Sequence, residues 1–305
     1  GGLRADYRYI GAKGLMEDGG VRFEDFTRHF TGVTGSIGTT FEVAKGLDLK
    51  FNLARGFRTP NISELASNGE HEGSLRYEIG SHHFDPEYSL QGDFGVNYAM
   101  RYFELNVSAF ANHIDNYIYL HRIDSVVEPD LMTFAYAQGE AVLMGFEASV
   151  DIHPFHALHI GASFSYVDAR LLNQTEDMRW LPMTPAPHMS VDMKYEITHD
   201  GKVFDNTYLA ACMDWYLEQN HYYAAYGTET ATPSYLLFGL SAGTDVWIKG
   251  RKVAELVLIV DNLTDVCYQD HLSRLKYADI NVATGRQGVF NMGRNIVFKL
   301  NVPIK

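Results

Sequence analysis

Apolar and polar residues alternate along this chain in runs of the ~9–11 residues that cross a bilayer at a tilt. In the C-terminal run, Ile296, Phe298, Leu300, Val302 and Ile304 fall on one side, and Asn295, Val297, Lys299 and Asn301 on the other. A period of two puts these sets on opposite faces of a β-strand. The pattern recurs in Met189, Val191 and Met193 against Ser190, Asp192 and Lys194. It recurs again in Met144, Phe146 and Val150 against Glu147, Ser149 and Asp151. Phe164 and Val96 belong to two further runs. The spacing predicts about twelve such strands. Residues 209–215 and 256–260 are apolar on both faces, which leaves their phase open.

The connections sort into two classes that alternate. Short turns are predicted at Ala44-Lys45-Gly46, Met100-Arg101, His153-Pro154-Phe155-His156, residues 199–202 and Lys249-Gly250-Arg251. Long loops are predicted at residues 11–28, 58–86, 121–136, 170–185, 218–233 and 266–287. In a meander, alternate turns lie at the same end of the sheet, so all long loops gather at one end. Outer-membrane barrels keep that asymmetry, and a Greek-key sandwich has no reason to. The fold predicted is all-β, an antiparallel up-and-down transmembrane barrel wall. Both chain ends are expected at the short-turn end.

Composition narrows the function. With 38 acidic and 25 basic residues the net charge is −13, which argues against a nucleic-acid surface and suits an acidic lumen that attracts cations. Tyr102, Phe103, Tyr117, Tyr119, Trp215, Tyr216 and Trp247 lie near predicted strand ends, as interfacial girdles would place them. Cys212 and Cys267 are too few for a disulfide framework. The strand glycines Gly92, Gly95, Gly161, Gly239 and Gly243 suit bends in a curved wall. The chain begins at Gly1 with no leader, so it is expected to be processed or part of a longer polypeptide.

One loop concentrates coordinating chemistry. Residues 58–86 hold Glu64, Glu70, His71, Glu72, Glu78, His82, His83 and Asp85. Imidazole with carboxylate binds zinc, copper or iron, and imidazole is an axial haem ligand. His71, His82 and His83 are the candidate metal ligands. Glu70 and Glu72 support them, and Tyr77 and Tyr88 lie nearby for stacking. The bland alternative is a solvated acidic loop. Ser81 beside His82, Ser67, and Ser273 near His271 are the nearest approach to a catalytic arrangement. None has a local signature beyond adjacency, which does not bring a nucleophile, its base and an orienting group together, so no enzyme is predicted.

Several stretches resemble the C-terminal half of a TonB-dependent outer-membrane receptor. Arg55-Gly56-Phe57-Arg58-Thr59-Pro60-Asn61 resembles the family's arginine-phenylalanine-arginine-x-proline segment. Phe84-Asp85-Pro86-Glu87 resembles the end of its asparagine-proline-x-leucine-x-proline-glutamate box, departing at the asparagine-proline and at the leucine. Asp261-Asn262-Leu263-Thr264-Asp265 before Tyr268 resembles its penultimate strand, and Gly293-Arg294-Asn295 the opening of its last. His71 falls between the first two boxes, where similar receptors for haem and zinc carry a histidine.

The resemblance implies a 22-stranded barrel around an N-terminal plug, with the plug, the TonB box and the first strands outside this chain. It implies uptake of a scarce ligand, powered through the TonB energy-coupling complex, in the outer membrane of a Gram-negative bacterium. No resident cofactor is implied; a metal or haem would be cargo. A passive porin, a barrel enzyme of the outer membrane and a secreted β-sheet binding protein are the alternatives. His271 lies beside the third motif and reads as structural.

Overall fold

The computed structural model describes residues 1–17, 20–71, 76–128, 130–198 and 201–304. Twelve strands follow one another along a single sheet. They are β1 (Gly2–Ala12), β2 (Phe26–Ala44), β3 (Leu47–Arg58), β4 (Glu87–Met100), β5 (Phe103–Arg122), β6 (Met132–Phe155), β7 (Leu158–Leu171), β8 (His188–Thr198), β9 (Phe204–Tyr216), β10 (Tyr235–Ile248), β11 (Arg251–Asp261) and β12 (Asn295–Asn301). Each pairs antiparallel with the next. Short and long connections alternate as expected, and both ends of the chain run toward the short-turn side.

Strand register sorts the side chains into rows. Phe41, Leu49, Val96, Val107, Ala148, Phe164, Met189, Trp215 and Leu236 are successive direct partners across nine strands. The neighbouring row, one residue out of phase, is Glu42, Asp48, Asn97, Asn106, Ser149, Ser163, Ser190 and Asp214. Asn97 donates to Asn106 and the Ser163 and Ser190 hydroxyls lie 2.7 Å apart. Directly opposed residues share a face, so one face of the sheet is an apolar band and the other is polar. Ile296, Phe298, Leu300 and Val302 on the apolar face are 56–66 % exposed. No second sheet covers them among the described residues.

The stretches apolar on both sides are single strands in the same phase as the rest. Val257 and Ile259 pair with Gly243 and Ser241 on the inner face, while Leu256, Leu258 and Val260 point outward. On that inner face a Cβ on Gly161 would overlap the Asp192 carboxylate, so glycine here makes room for a neighbour.

Three expectations need correction. Strand β6 continues through His153 and Pro154 to Phe155; a register shift after Ile152 absorbs the proline. Strands β5 and β6 also reach into the loop predicted at 121–136, leaving only residues 123–131 as connection. The aromatic girdle is split: Trp215 lies outward, but Tyr117 and Tyr119 pack on a buried cluster of Ala141, Ala169, Leu171, Leu181, Tyr223 and Ala225. The long loops fold back onto the inner wall there, and aromatic rings supply the apolar surface they bury.

The sheet is open. Among the described residues β1 and β12 each pair with one neighbour only and not with each other. The loop between β3 and β4 adds a short helix, Ile62–Ala66, and a hairpin of Asn68–His71 with Arg76–Ile79. The second hairpin strand joins β6 in parallel, Arg76 opposite Met132.

Candidate functional site

The long-loop mouth of the wall is built from three anchors. The first is ionic. Asn61 caps the short helix: its Oδ1 accepts the Glu64 N–H at 2.9 Å, and Glu64 Oε2 accepts the Asn61 N–H at 2.8 Å. This capping box fixes the Glu64 carboxylate, which receives Arg58 Nη1 at 2.9 and 3.0 Å. The other edge of the Arg58 guanidinium forks onto Glu87, with Nε donating to Oε2 at 2.6 Å and Nη2 to Oε1. Glu87 Oε1 also accepts the Ile118 N–H at 2.8 Å. Both carboxylates are buried. Pro60 is fully buried beside them, and the Pro86 carbonyl accepts Asn116 Nδ2 at 3.2 Å. One arginine thus ties both ends of the β3–β4 loop to three strands.

The second anchor closes the last long loop. Asn262 Oδ1 accepts the Val266 N–H and its Nδ2 donates to the Val266 carbonyl, both at 2.8 Å. Asp265 Oδ1 accepts the Arg294 N–H at 2.8 Å, and Arg294 Nε donates to the Leu263 carbonyl at 2.8 Å. Asn262 and Asp265 both have positive φ, +48° and +57°. Asn and Asp tolerate that region because their short side chains bond the local backbone.

The third is an aromatic ladder on the inner face. His188, Tyr216, Tyr235 and Tyr268 stack in sequence with centroids 4.2, 4.6 and 4.5 Å apart. Tyr235 donates to Asp270 Oδ2 at 2.9 Å, and His188 Nε2 lies 3.0 Å from Asp214 Oδ1. Beside the ladder is a cavity of about 440 Å³ lined by Glu147, Ser165, Val167, His188, Tyr216 and Asp270. Tyr268 alone was marked by a motif; Tyr216 was expected in the outward girdle and instead faces inward. Each of the other rings opens or closes a strand on its polar face, a signal visible in the phase; their stacking depends on cross-strand register.

The loop residues singled out from sequence occupy separate places. Glu70 and His71 lie exposed on the short hairpin, opposite Tyr77 and Arg76. The Tyr77 hydroxyl donates to Asn68 Oδ1 at 2.9 Å. His82 and His83 are exposed with rings 4.3 Å apart, and His82 stacks on Phe26. Tyr88 is in phase with Leu90, Phe94 and Val96 on the outward face. There it meets Phe57 at 5.4 Å and the Arg55 guanidinium at 5.1 Å, and its hydroxyl donates to the Thr31 carbonyl at 3.1 Å. Glu72 lies outside the described residues. Among the described residues, His71, His82 and His83 do not gather into one set of three ligand atoms.

Residues 3–263 match the family model described as TonB dependent receptor-like, beta-barrel. The chain belongs to that family. Similar solved structures include the copper transporter OprC, with 20% identity and a TM-score of 0.78 over 98% of this chain and 44% of that one. The FrpB iron transporter of Neisseria meningitidis aligns at 13% identity and 0.67 over 98% and 42%. The ferric-catecholate import receptor Fiu of E. coli K12 aligns at 18% and 0.64 over 98% and 42%. The chain spans less than half the length of each, and at these identities the likeness is one of fold.

Within this TonB-dependent receptor wall, His271 is structural, as the sequence suggested. It is 2% exposed. Lys276 Nζ donates to the Thr230 and Ala231 carbonyls at 2.8 and 2.9 Å and to Thr232 Oγ1 at 2.7 Å. Because an ammonium only donates, the Thr232 hydroxyl hydrogen goes to His271 Nδ1 at 2.8 Å. Burial, and then the Lys276 charge, lowers the His271 pKa to about 4. Burial likewise lowers Lys276 and raises Glu229, whose carboxylate accepts the Met183 and Tyr223 N–H groups. In the same loop, Arg274 is lowered by burial and by nearby Arg76, with Glu78 and Tyr136 also in its field. The last long loop therefore reaches the hairpin of the β3–β4 loop across the mouth. Cys212 and Cys267 are both free thiols.

Proposed function

We propose that this wall is part of an outer-membrane receptor that takes up a scarce metal-bearing ligand, driven by the TonB complex. The observation that carries the reading is the inner face. Asp48, Asp93, Glu104, Glu147, Asp151, Asp192 and Asp214 share it with Lys50, Lys194 and Arg58, the last already paired with Glu64 and Glu87, along β3 to β9. Such a surface concentrates cations, and the long loops fold over it at the mouth. An iron complex, a siderophore, haem or a bare metal ion fits it better than a neutral glycan. Two of the structural neighbours carry copper and iron transport in their names. The plug that gates transport and meets TonB would come from outside these residues, as would the strands that pair with the open edges of β1 and β12, since unpaired edges are costly in lipid.

His71 and Glu70, with His82 and His83, are the proposed first contacts of the cargo, at the exposed outer part of the mouth. Growth of the host with one nutrient limiting at a time identifies the cargo. His71→Ala should weaken uptake of that nutrient alone, and removing the energy-coupling complex should abolish it. Uptake unchanged for every nutrient in the His71→Ala, His82→Ala, His83→Ala variant rejects this site. Uptake that survives loss of the coupling complex makes the wall a passive porin.

The apolar band, in this reading, faces hydrocarbon. Val191→Arg on the band should then cost about 2–4 kcal/mol, while the inner-face change Asp192→Asn should be tolerated. Reversible unfolding in lipid vesicles measures both. Equal, small effects would mean that the band meets protein or water.

A further inference from the structure

The outer face carries a cluster that the uptake reading does not use. His113 and Asp115 sit on β5, two residues apart and therefore on one face. Across from them the β5–β6 register shifts: Gly139 pairs with Tyr117 and Ala141 with Ile114, so Asp115 and Asn116 together oppose the single residue Glu140 and the extra residue lies in β5. A bulge of this kind re-aims the side chains of its strand, and the β5 imidazole of His113 meets the Glu140 carboxylate. Its Oε1 lies 2.7 Å from His113 Nε2, and Asp115 Oδ1 lies 3.8 Å from His113 Nδ1. One ligand atom from each of the three residues falls within 4.8 Å of the others, the only such set of histidine, cysteine and carboxylate side chains among the described residues.

The local backbone is shaped around this cluster. Asn116, within the bulge, has φ +58°, and Asn173, whose Nδ2 approaches Glu140 Oε2 at 3.4 Å, has φ +57°. The Glu140 carbonyl is held by the Leu172 N–H at 2.8 Å. Glu140 is thus positioned by His113 on β5 and by the two residues that follow β7, while the Asp115 side chain stays free to turn, at 61% exposure.

We infer that His113, Asp115 and Glu140 form a binding site for a divalent transition-metal ion of the zinc class on the exterior rim of the wall. Ligand atoms about 2.0–2.2 Å from a zinc ion stand roughly 3–3.5 Å from one another. Rotation of the exposed Asp115 carboxylate closes the remaining gap. Imidazole among the ligands selects zinc, copper or nickel over calcium and magnesium, which take oxygen alone. His113 pairs with Leu90 and Val142 on the outward face, at the upper margin of the apolar band. The open coordination positions therefore face water or an anionic headgroup at the membrane surface, away from the lumen. The site stands independently of any cargo.

The test uses the whole receptor, purified in detergent without a histidine tag, and titrates Zn²⁺ by calorimetry and Co²⁺ by visible absorption. The wild type should bind one equivalent more than His113→Ala. Glu140→Gln should weaken that equivalent by more than about tenfold, the least that loss of even an outer partner of a metal ligand costs. Mg²⁺ should not compete. Heat-modifiable gel mobility confirms that each variant is a folded barrel; if His113→Ala is not, Glu140→Gln carries the comparison. Superimposable Zn²⁺ isotherms for the wild type and Glu140→Gln overturn the site, as does competition by Mg²⁺ at equal concentration.

Discussion

Arg58→Ala should destabilise the receptor by about 3–5 kcal/mol, the usual cost of leaving a buried charge without its partner. Arg58 is the only cation bonded to Glu64 and Glu87 among the described residues, and the side chains of these acids are just 8 and 9% exposed. Removing it leaves two buried carboxylates facing each other across the space it filled. Arg58→Lys should recover little, because an ammonium cannot fork onto Glu87 and reach Glu64 from the same plane. Adding Glu64→Gln and Glu87→Gln to Arg58→Ala should restore much of the loss, since neutral amides remove the repulsion. Urea unfolding of the whole receptor in lipid vesicles provides the comparison. A wild-type midpoint for Arg58→Ala would show that the network orders the loop without holding the fold.

Acidification should loosen the last long loop through His271. Its folded pKa of about 4 lies below the ordinary value of 6.5, so the fold holds the neutral ring. The stabilisation is complete above pH 6.5 and is lost as pH falls from there through 4. That interval corresponds to ~3 kcal/mol. Glu229 acts in the opposite sense: its carboxyl is raised by burial, so its protonation favours the packed loop. Lys276 and Asp270 face His271 and set its field. His271→Gln isolates the imidazole. Hydrogen exchange across residues 262–294, corrected for intrinsic rates, should rise between pH 7.5 and 5 in the wild type and stay flat in His271→Gln. Matching pH dependence in the two proteins would assign the effect to another group.

How much of this was legible in the chain follows from the range of each interaction. Alternation with period two fixes which residues share a face within a strand, so the apolar band and the polar wall could be read directly. The alternation of short and long connections followed from the same pattern. Even the outward position of Tyr88 was legible, since it keeps the phase of Leu90, Phe94 and Val96; placing it beside the loop histidines for stacking set that phase aside. The Arg58 network was half visible. The motif named Arg58, Asn61 and Glu87, while the capping box that recruits Glu64 is local chemistry three residues long.

Contacts between strands were decided by register and loop folding, which the local pattern does not encode. His71 sits on a hairpin that joins β6 in parallel, a pairing across some sixty residues of chain, whereas His82 lies against Phe26. Nearness in sequence therefore did not bring the histidines together. Conversely, a one-residue bulge in β5 opposite Glu140 gathers His113, Asp115 and Glu140, and the stack of His188, Tyr216, Tyr235 and Tyr268 needs three strands and a loop in one register. A strand's alternation depends only on its own residues, so it survives in the sequence; convergence depends on the relative offset of neighbouring strands, which exists only once the wall has formed.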